Sequence, residues 1–500
     1  MSDNISEGQG CRRYYARLGL QYLDPYWLIC LCFSIPAFFY ALHFSMHPRY
    51  SWWGDEYAHY EAARWFVTSG EWTPFYRPGV YGENSALLSY YPAVFLYLFG
   101  LSVDVWRAGF LFLLIPGSIL IYSLGRQVAS RSVGLAAAAL FCTSFYVHNF
   151  FTIGYPNALS PIYLLILLNY FMRLVSGRAV GYGYIIIGAV ITGLSAYIYA
   201  GPIMPAMIAP FLVCYRWNDR SDNTRQQMII FLFLALLVCL PGFLCGTSLN
   251  EGVLGRLGDF SGFDWTSRLK NGLLGFTGFL GSPNIGQFVK GSYLDAISAV
   301  LCGIGMIATF ASCRRVPPLL ILLSYVLACF CLGLSNGDNG IPFSRALLLL
   351  PYLFIFAGWG AVVCLNVLPR RAKWIFVITL AILIPLANRE RQERFFRDTG
   401  VSDLSCILWE VVEEKQKNPE LHEVVIQAQR EFATNFLKEV FEFYRVGEIE
   451  VSIVSPHDPV TTTANSLVVN LASLDAGRCR HKTPASRFPG LPESLTNFQW

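Results

Sequence analysis

The stretch HPRYSWWGDEYAHYEAARWFVTSGEWTPFYRPGVYGENSALLSYYPAVFLYLFGLSVD, residues 47–104, lies between two apolar runs at 26–46 and 105–124. Each run has about the length, roughly 17–25 residues, that a helix needs to cross a bilayer. The polar stretch therefore reads as a loop held at a membrane surface between two spans. Within it, Gly54-Asp55-Glu56 opens a short helical pattern. Ala58, Ala62, Trp65, Phe66 and Ser69 fall on one face, and Gly70 stands where such a helix stops. This helix is expected to lie flat, with Trp65 and Phe66 toward lipid or the bundle and Asp55 at its N-terminus. Residues 87–100, with Tyr90-Tyr91-Pro92 and many aromatics, read as an interfacial or re-entrant segment, because such rings favour the headgroup zone.

Asp55 carries two compatible readings. Asp is among the best N-cap residues, and Glu56 in the first turn suits the helix dipole. An outward carboxylate at the lipid boundary can also serve as a general base, and a base must be held rigidly.

The composition points the same way. Of 500 residues, 54% are apolar and only 14% charged, against about 25% charged in soluble proteins. Mean hydropathy is +0.44. Domain cores stop growing beyond roughly 250–300 residues, so the remaining apolar surface must face lipid. A cytosolic enzyme, a secreted disulfide scaffold and a disordered chain are excluded. The net charge of +4 is spread thinly and implies no nucleic-acid partner. Most of the 14 cysteines, among them Cys30, Cys142, Cys302 and Cys329, sit in apolar runs as small hydrophobes. No CxxC and no Cys/His zinc spacing occurs.

Eleven crossings are expected: 26–46, 105–124, 133–151, 158–174, 182–200, 201–215, 228–245, 293–311, 316–334, 346–367 and 374–387. The first is too long for a signal-peptide core of about 7–15 residues and reads as a retained helix. Arg12, Arg13 and Arg17 precede it. Arg126 with Arg131, Arg173 with Arg178, Arg216 with Arg220 and Arg225, Arg314 with Arg315, and Arg370 with Arg371 and Lys373 fall in alternate loops. By the positive-inside rule these loops and the N-terminus are cytoplasmic. The expected location is the plasma membrane, a bacterial inner membrane.

Three outward regions are large enough for a site: 47–104, 246–292 and the chain after 387. Residues 1–388 read as the membrane domain and 389–500 as a small extracytoplasmic α/β domain. In the latter, 389–397 is charged and marks the exit from lipid, 419–444 reads as a helix, and 448–454 and 466–470 read as strands rich in β-branched residues.

The order of these features resembles GT-C glycosyltransferases. Asp55-Glu56, the short aromatic helix ending Ser69-Gly70-Glu71-Trp72, Tyr90-Tyr91-Pro92, and Val105-Trp106-Arg107-Ala108-Gly109-Phe110 are similar to the first outward loop of the family-39-like branch. That branch is related to the protein O-mannosyltransferases and the lipid A aminoarabinose transferases. Gly125-Arg126-Gln127, Tyr155-Pro156-Asn157, Gly193 to Tyr199, Tyr293-Leu294-Asp295 and Ser344-Arg345 ahead of Leu350-Pro351 extend the likeness over roughly the first 390 residues. No single motif is specific; their order and the span count together are.

The resemblance implies an α-helical polytopic GT-C fold of about 11 spans with amphipathic juxtamembrane helices. It implies an enzyme that takes a sugar from a polyprenyl-phosphate donor such as an undecaprenyl phosphate. The acceptor would be a hydroxyl of a glycan, lipid or protein. The first acid of the pair, Asp55, would be the catalytic base in one inverting displacement through an oxocarbenium-like transition state. The leaving phosphate calls for cations. Arg107 and Arg345 stand at the outer ends of expected spans, with headgroup snorkelling as the alternative role. Arg256, Arg268, Lys270 and Lys290 in the second outward loop are weaker candidates.

Further substrate-binding candidates are Glu56, His59, Glu83, Tyr91, Asn157, Tyr197 and Tyr199. Several relatives carry an acid where this chain has Asn157, and some carry a lysine just before the loop proline where it has Tyr90 and Tyr91. Asn157 cannot act as a base or supply a charge to a metal: either Asp55 and Glu56 act alone, or Asn157 only hydrogen-bonds the sugar. A divalent metal stays open. Two rival readings are a transporter or flippase of a lipid-linked saccharide and a non-catalytic membrane scaffold. The expected spans carry almost no charge at their centres, which counts against ion-coupled transport.

Overall fold

A computed structural model describes residues 25–45, 54–76, 84–85, 87–175, 181–198, 222–245, 265–281, 291–334, 343–398, 411, 414–415, 417–427, 450–454 and 466–470. Among them, six helices are long and apolar enough to cross a membrane: Asp104–Val128, Pro156–Val175, Asn223–Pro241, Val316–Gly333, Leu347–Val367 and Arg370–Gln392. Each coincides with one of the expected spans. The expected span at 133–151 is a pair of helices bent by 52°. Those at 26–46, 182–200 and 293–311 are shorter apolar helices, and the one at 201–215 lies outside the described residues.

The helices that position the site are α1 (Tyr26–Ser45), α2 (Gly54–Ser69), α3 (Leu87–Phe99), α4 (Val103–Phe112), α5 (Leu114–Val128), α6 (Arg131–Thr143), α7 (Phe145–Thr152) and α8 (Leu159–Val175). They are followed by α9 (Tyr182–Leu194), α10 (Asp222–Cys245), α11 (Trp265–Thr277), α12 (Ala296–Ala311), α13 (Val316–Leu334), α14 (Leu350–Val367) and α15 (Arg370–Asp398). Their ends follow local chemistry. Ser102, Ser130, Ser144 and Asp295 each cap the helix that follows by accepting a backbone N–H. At Ser144 the backbone turns extended, with ψ 121°, which breaks the apolar run between α6 and α7.

The core sits where small residues let backbones approach, as in other membrane bundles. Along the contact of α12 with α14, a Cβ at Gly305 would overlap the Phe356 carbonyl and one at Gly360 the Leu301 carbonyl. Large apolar side chains remain exposed on the outward flanks, Leu232, Phe233 and Leu236 on α10 and Trp374, Ile375 and Ile378 on α15. Such faces are satisfied by lipid.

Helix α15 runs unbroken from Arg370 to Asp398. Two readings of the sequence are corrected. The expected helix over 419–444 is interrupted at its start by strand β1 (Glu423–Gln427), where Val424-Val425-Ile426 is a β-branched run; residues 428–444 lie outside the described residues. The apolar run at 133–151 is two helices and not one. Strand β2 (Glu450–Val454) and strand β3 (Ser466–Asn470) flank β1 in the order β2-β1-β3, both parallel to it. Val424, Ile426, Val451 and Val469 form its buried face.

Candidate active site

Helix α2 begins at Gly54, so Asp55 and Glu56 lie in its first turn, where the helix dipole favours carboxylates. The remainder of the helix is pinned to the bundle. Tyr60 meets the buried Trp106 of α4 edge-on, with centroids 5.7 Å apart. His59 Nδ1 lies 3.3 Å from Ser89 Oγ of α3. Phe66 is fully buried, stacked on Trp72 and packed edge-on against Tyr90. Gly70 closes the helix at φ +73°, its N–H donating to Phe66 O. Its Ala62 and Phe66 side points into protein.

Helix α3 has 13 residues, about 20 Å at 1.5 Å per residue, short of a roughly 30 Å hydrocarbon core. It buries Leu88, Ala93 and Leu96 and exposes Tyr97, Leu98 and Phe99. Tyr91 donates its hydroxyl to Gly109 O at 2.9 Å, which ties α3 to α4.

The cationic candidates differ. Arg107 is 2% exposed, inside the bundle next to Trp106. Arg345 is half-buried at the end of the turn Phe343–Ala346. Arg268 and Lys270 sit on α11, half-buried and exposed. Tyr197 donates to Val238 O at 3.0 Å, so its hydroxyl joins α9's end to α10. Glu83, Tyr199, Arg256 and Lys290 lie outside the described residues, as do the side chains of Asp55 and Glu56.

The turn after α7 is buried. Thr152, Ile153, Tyr155 and Asn157 are all nearly inaccessible, with Gly154 at φ +61° making the reversal. Thr152 Oγ1 and Asn157 Nδ2 are buried donors without a partner in the protein. Most buried polar groups are hydrogen-bonded, so two in one turn mark a place for a ligand or water.

Composition and spacing did not single out a polar cluster at the same end of the bundle. Asp295, which caps α12, accepts hydrogen bonds from the N–H and hydroxyl of Ser298 at 2.9 and 2.6 Å. Asn388 of α15 donates to Asp295 Oδ2 at 3.0 Å, and its Oδ1 accepts the Phe145 N–H at 3.1 Å. Tyr146 packs edge-on against Tyr293, 5.8 Å between centroids, and Tyr40 of α1 lies 5.8 Å from His148 of α7. The end of α1 that leads to the 47–104 loop therefore meets α7, and through it the start of α12 and the later part of α15. Tyr293-Leu294-Asp295 was the only hint of this in the sequence.

No family model matches the chain, and no curated protein matches it by sequence. Solved structures do. The apo oligosaccharyltransferase of Archaeoglobus fulgidus is similar at TM-score 0.51 and 14% identity, over 87% of this chain and 65% of that one. The oligosaccharyltransferase AglB from Archaeoglobus fulgidus, with an inhibitory peptide and a dolichol-phosphate, is similar at TM-score 0.50 and 13% identity, over 84% of this chain and 64% of that one. The fold is GT-C-like.

ArnT from Cupriavidus metallidurans bound to undecaprenyl phosphate aligns at TM-score 0.47 and 13% identity, over 87% of both chains. The chain spans somewhat less than two thirds of the archaeal enzyme's length. One archaeal structure is a complex with zinc and sulfate. In the GT-C-like chain no three His, Cys, Asp or Glu side chains converge on a metal position among the described residues. The described polar groups of the buried turn, a hydroxyl and an amide N–H, are donors suited to oxygen acceptors.

Proposed function

We propose that the chain is a membrane glycosyltransferase that moves a sugar from a polyprenyl-phosphate donor to an acceptor hydroxyl of a glycan, lipid or protein on the extracytoplasmic face. The observation that carries this reading is a GT-C-like fold whose acid-bearing helix α2 is pinned by Tyr60, His59 and Phe66 to α3 and α4. The dolichol-phosphate bound by the archaeal relative supports a lipid-phosphate donor.

The chemistry follows from the residues. The acceptor oxygen attacks the anomeric carbon while Asp55 takes its proton. A new C–O bond forms, the bond to the phosphate oxygen breaks with its electron pair, and the lipid phosphate leaves as an anion. One displacement inverts the anomeric centre. The leaving anion needs no proton, so one base suffices. Arg107 and Arg345 supply positive charge to the leaving phosphate, as charge develops there in the transition state. Asn157 gives its N–H to a sugar oxygen and Thr152 its hydroxyl. Glu56, His59, Glu83, Tyr91, Tyr197 and Tyr199 complete the substrate-binding set proposed from the sequence.

The test is transfer of labelled sugar from synthetic polyprenyl-phosphate sugars by the full chain in membranes. Label should appear on an acceptor, with free polyprenyl phosphate as the co-product. Export of intact lipid-linked sugar without transfer would replace this reading with a flippase.

A further inference from the structure

The elbow at Ser144 is held from outside its own segment. Phe145 is the first residue of α7, and its N–H is one of the donors that a helix start leaves without an intrahelical partner. Asn388, 243 residues later on α15, accepts it at 3.1 Å. The same Asn388 spends both amide hydrogens inside the protein, on Asp295 Oδ2 at 3.0 Å and on Ile384 O at 2.9 Å. One turn on, the Arg391 guanidinium lies over the Phe145 ring at 4.0 Å and donates to Ser292 O at 2.7 Å. Asn388 and Asp295 are each 5% exposed. Two residues of α15 therefore grip the first residue of α7 by its backbone and by its ring, and both anchor to the segment that starts α12.

What α7 carries is the buried turn. Eight residues after Ser144 come Thr152 and then Asn157, the two uncommitted donors. A helix of this length with one end gripped moves as a rigid lever, so its start sets where its end presents those donors. We infer that Asn388 and Arg391 are positioning residues, a latch that fixes the elbow at Ser144 and thereby aims the Thr152–Asn157 turn. The inference rests on the transferase reading only for what the turn is aimed at; the latch itself is a claim about the elbow.

Two readouts test it on the full chain in detergent: hydrogen exchange of the Phe145 amide, and kcat and KM for a polyprenyl-phosphate sugar. Asn388→Leu should speed Phe145 exchange about tenfold, the worth of a buried hydrogen bond. It should lower kcat about tenfold while KM stays within about twofold. Asn169→Leu is the control for mere destabilisation. Asn169 is also a buried asparagine, accepting from Gln127 and donating to Leu120 O and Leu165 O, but on α8 away from the elbow. Its loss should leave Phe145 exchange and kcat near wild type.

Asn388→Asp should set two carboxylates against each other and speed exchange. The double variant Asp295→Asn, Asn388→Asp removes the like-charge pair and restores one donor and one acceptor between the two side chains, so exchange should be slower than in Asn388→Asp, though short of wild type because Ile384 O loses its donor. Unchanged Phe145 exchange in Asn388→Leu would overturn the latch. So would an Asn169→Leu variant that loses as much kcat, or a double variant that is no better than Asn388→Asp. A wild type that transfers no sugar would overturn the transferase reading instead, with the exchange results still deciding the latch.

Discussion

The Arg391 guanidinium carbon lies 4.0 Å from the centroid of the Phe145 ring, across 246 residues of chain. This contact needs a backbone without a side chain on its far side. A Cβ at Gly291 would come within 2.9 Å of Arg391 Nη2, and Gly291 itself has φ +96°. Gly291→Ala should therefore cost about 1–3 kcal/mol through backbone strain alone. The thermal unfolding midpoint in detergent should fall by several degrees; an unchanged midpoint would mean that the turn before α12 is not held as described.

The α12–α14 contact gives a sharper contrast on one helix. Gly305→Ala should destabilise by about 1–3 kcal/mol, because the new methyl group meets the Phe356 carbonyl and backbone cannot step aside cheaply. Gly303→Ala, two residues away, meets nothing within 4 Å and should be neutral or slightly stabilising. Equal effects of the two, measured by unfolding in detergent, would contradict the packing.

What could be read from the sequence was whatever depends on neighbours along the chain. The stop of α2 at Gly70, the strand at 466–470 and the long apolar spans follow from local residue choice, and the structure has the stop, the strand and six of the spans. The elbow at Ser144 was hidden because a single serine inside an apolar run leaves the hydropathy pattern intact. Arg391 and its helix partner Asn388 find their contacts near positions 145, 292 and 295, which no local pattern signals. Those pairings are made only in three dimensions. For the same reason Asn157 could be flagged as a departure from its relatives, while the burial of its whole turn could not.

Asn157→Ala should raise KM for the donor or lower kcat/KM by about tenfold, the worth of one neutral hydrogen bond. Asn157→Asp should cost more, since it replaces a donor with a negative charge facing an anionic leaving group. Steady-state kinetics with a labelled donor decides; an Asn157→Asp variant more active than wild type would assign the turn a cation-binding role.

Arg107 is buried, so its charge acts with little screening by water. Arg107→Met keeps the length and removes the charge, and should lower kcat by about 10²-fold. Arg107→Lys should recover part of it. A monodisperse, fully active Arg107→Met variant would take this residue out of the phosphate's surroundings and leave Arg345 as the cation.

The most direct measurement is single-turnover transfer from a labelled polyprenyl-phosphate sugar, comparing wild type with Asp55→Asn in the same membranes. Removal of the base should slow transfer at least about 10²-fold, with donor binding kept. Transfer at the wild-type rate in Asp55→Asn would contradict the assignment of Asp55 as the group that takes the acceptor's proton.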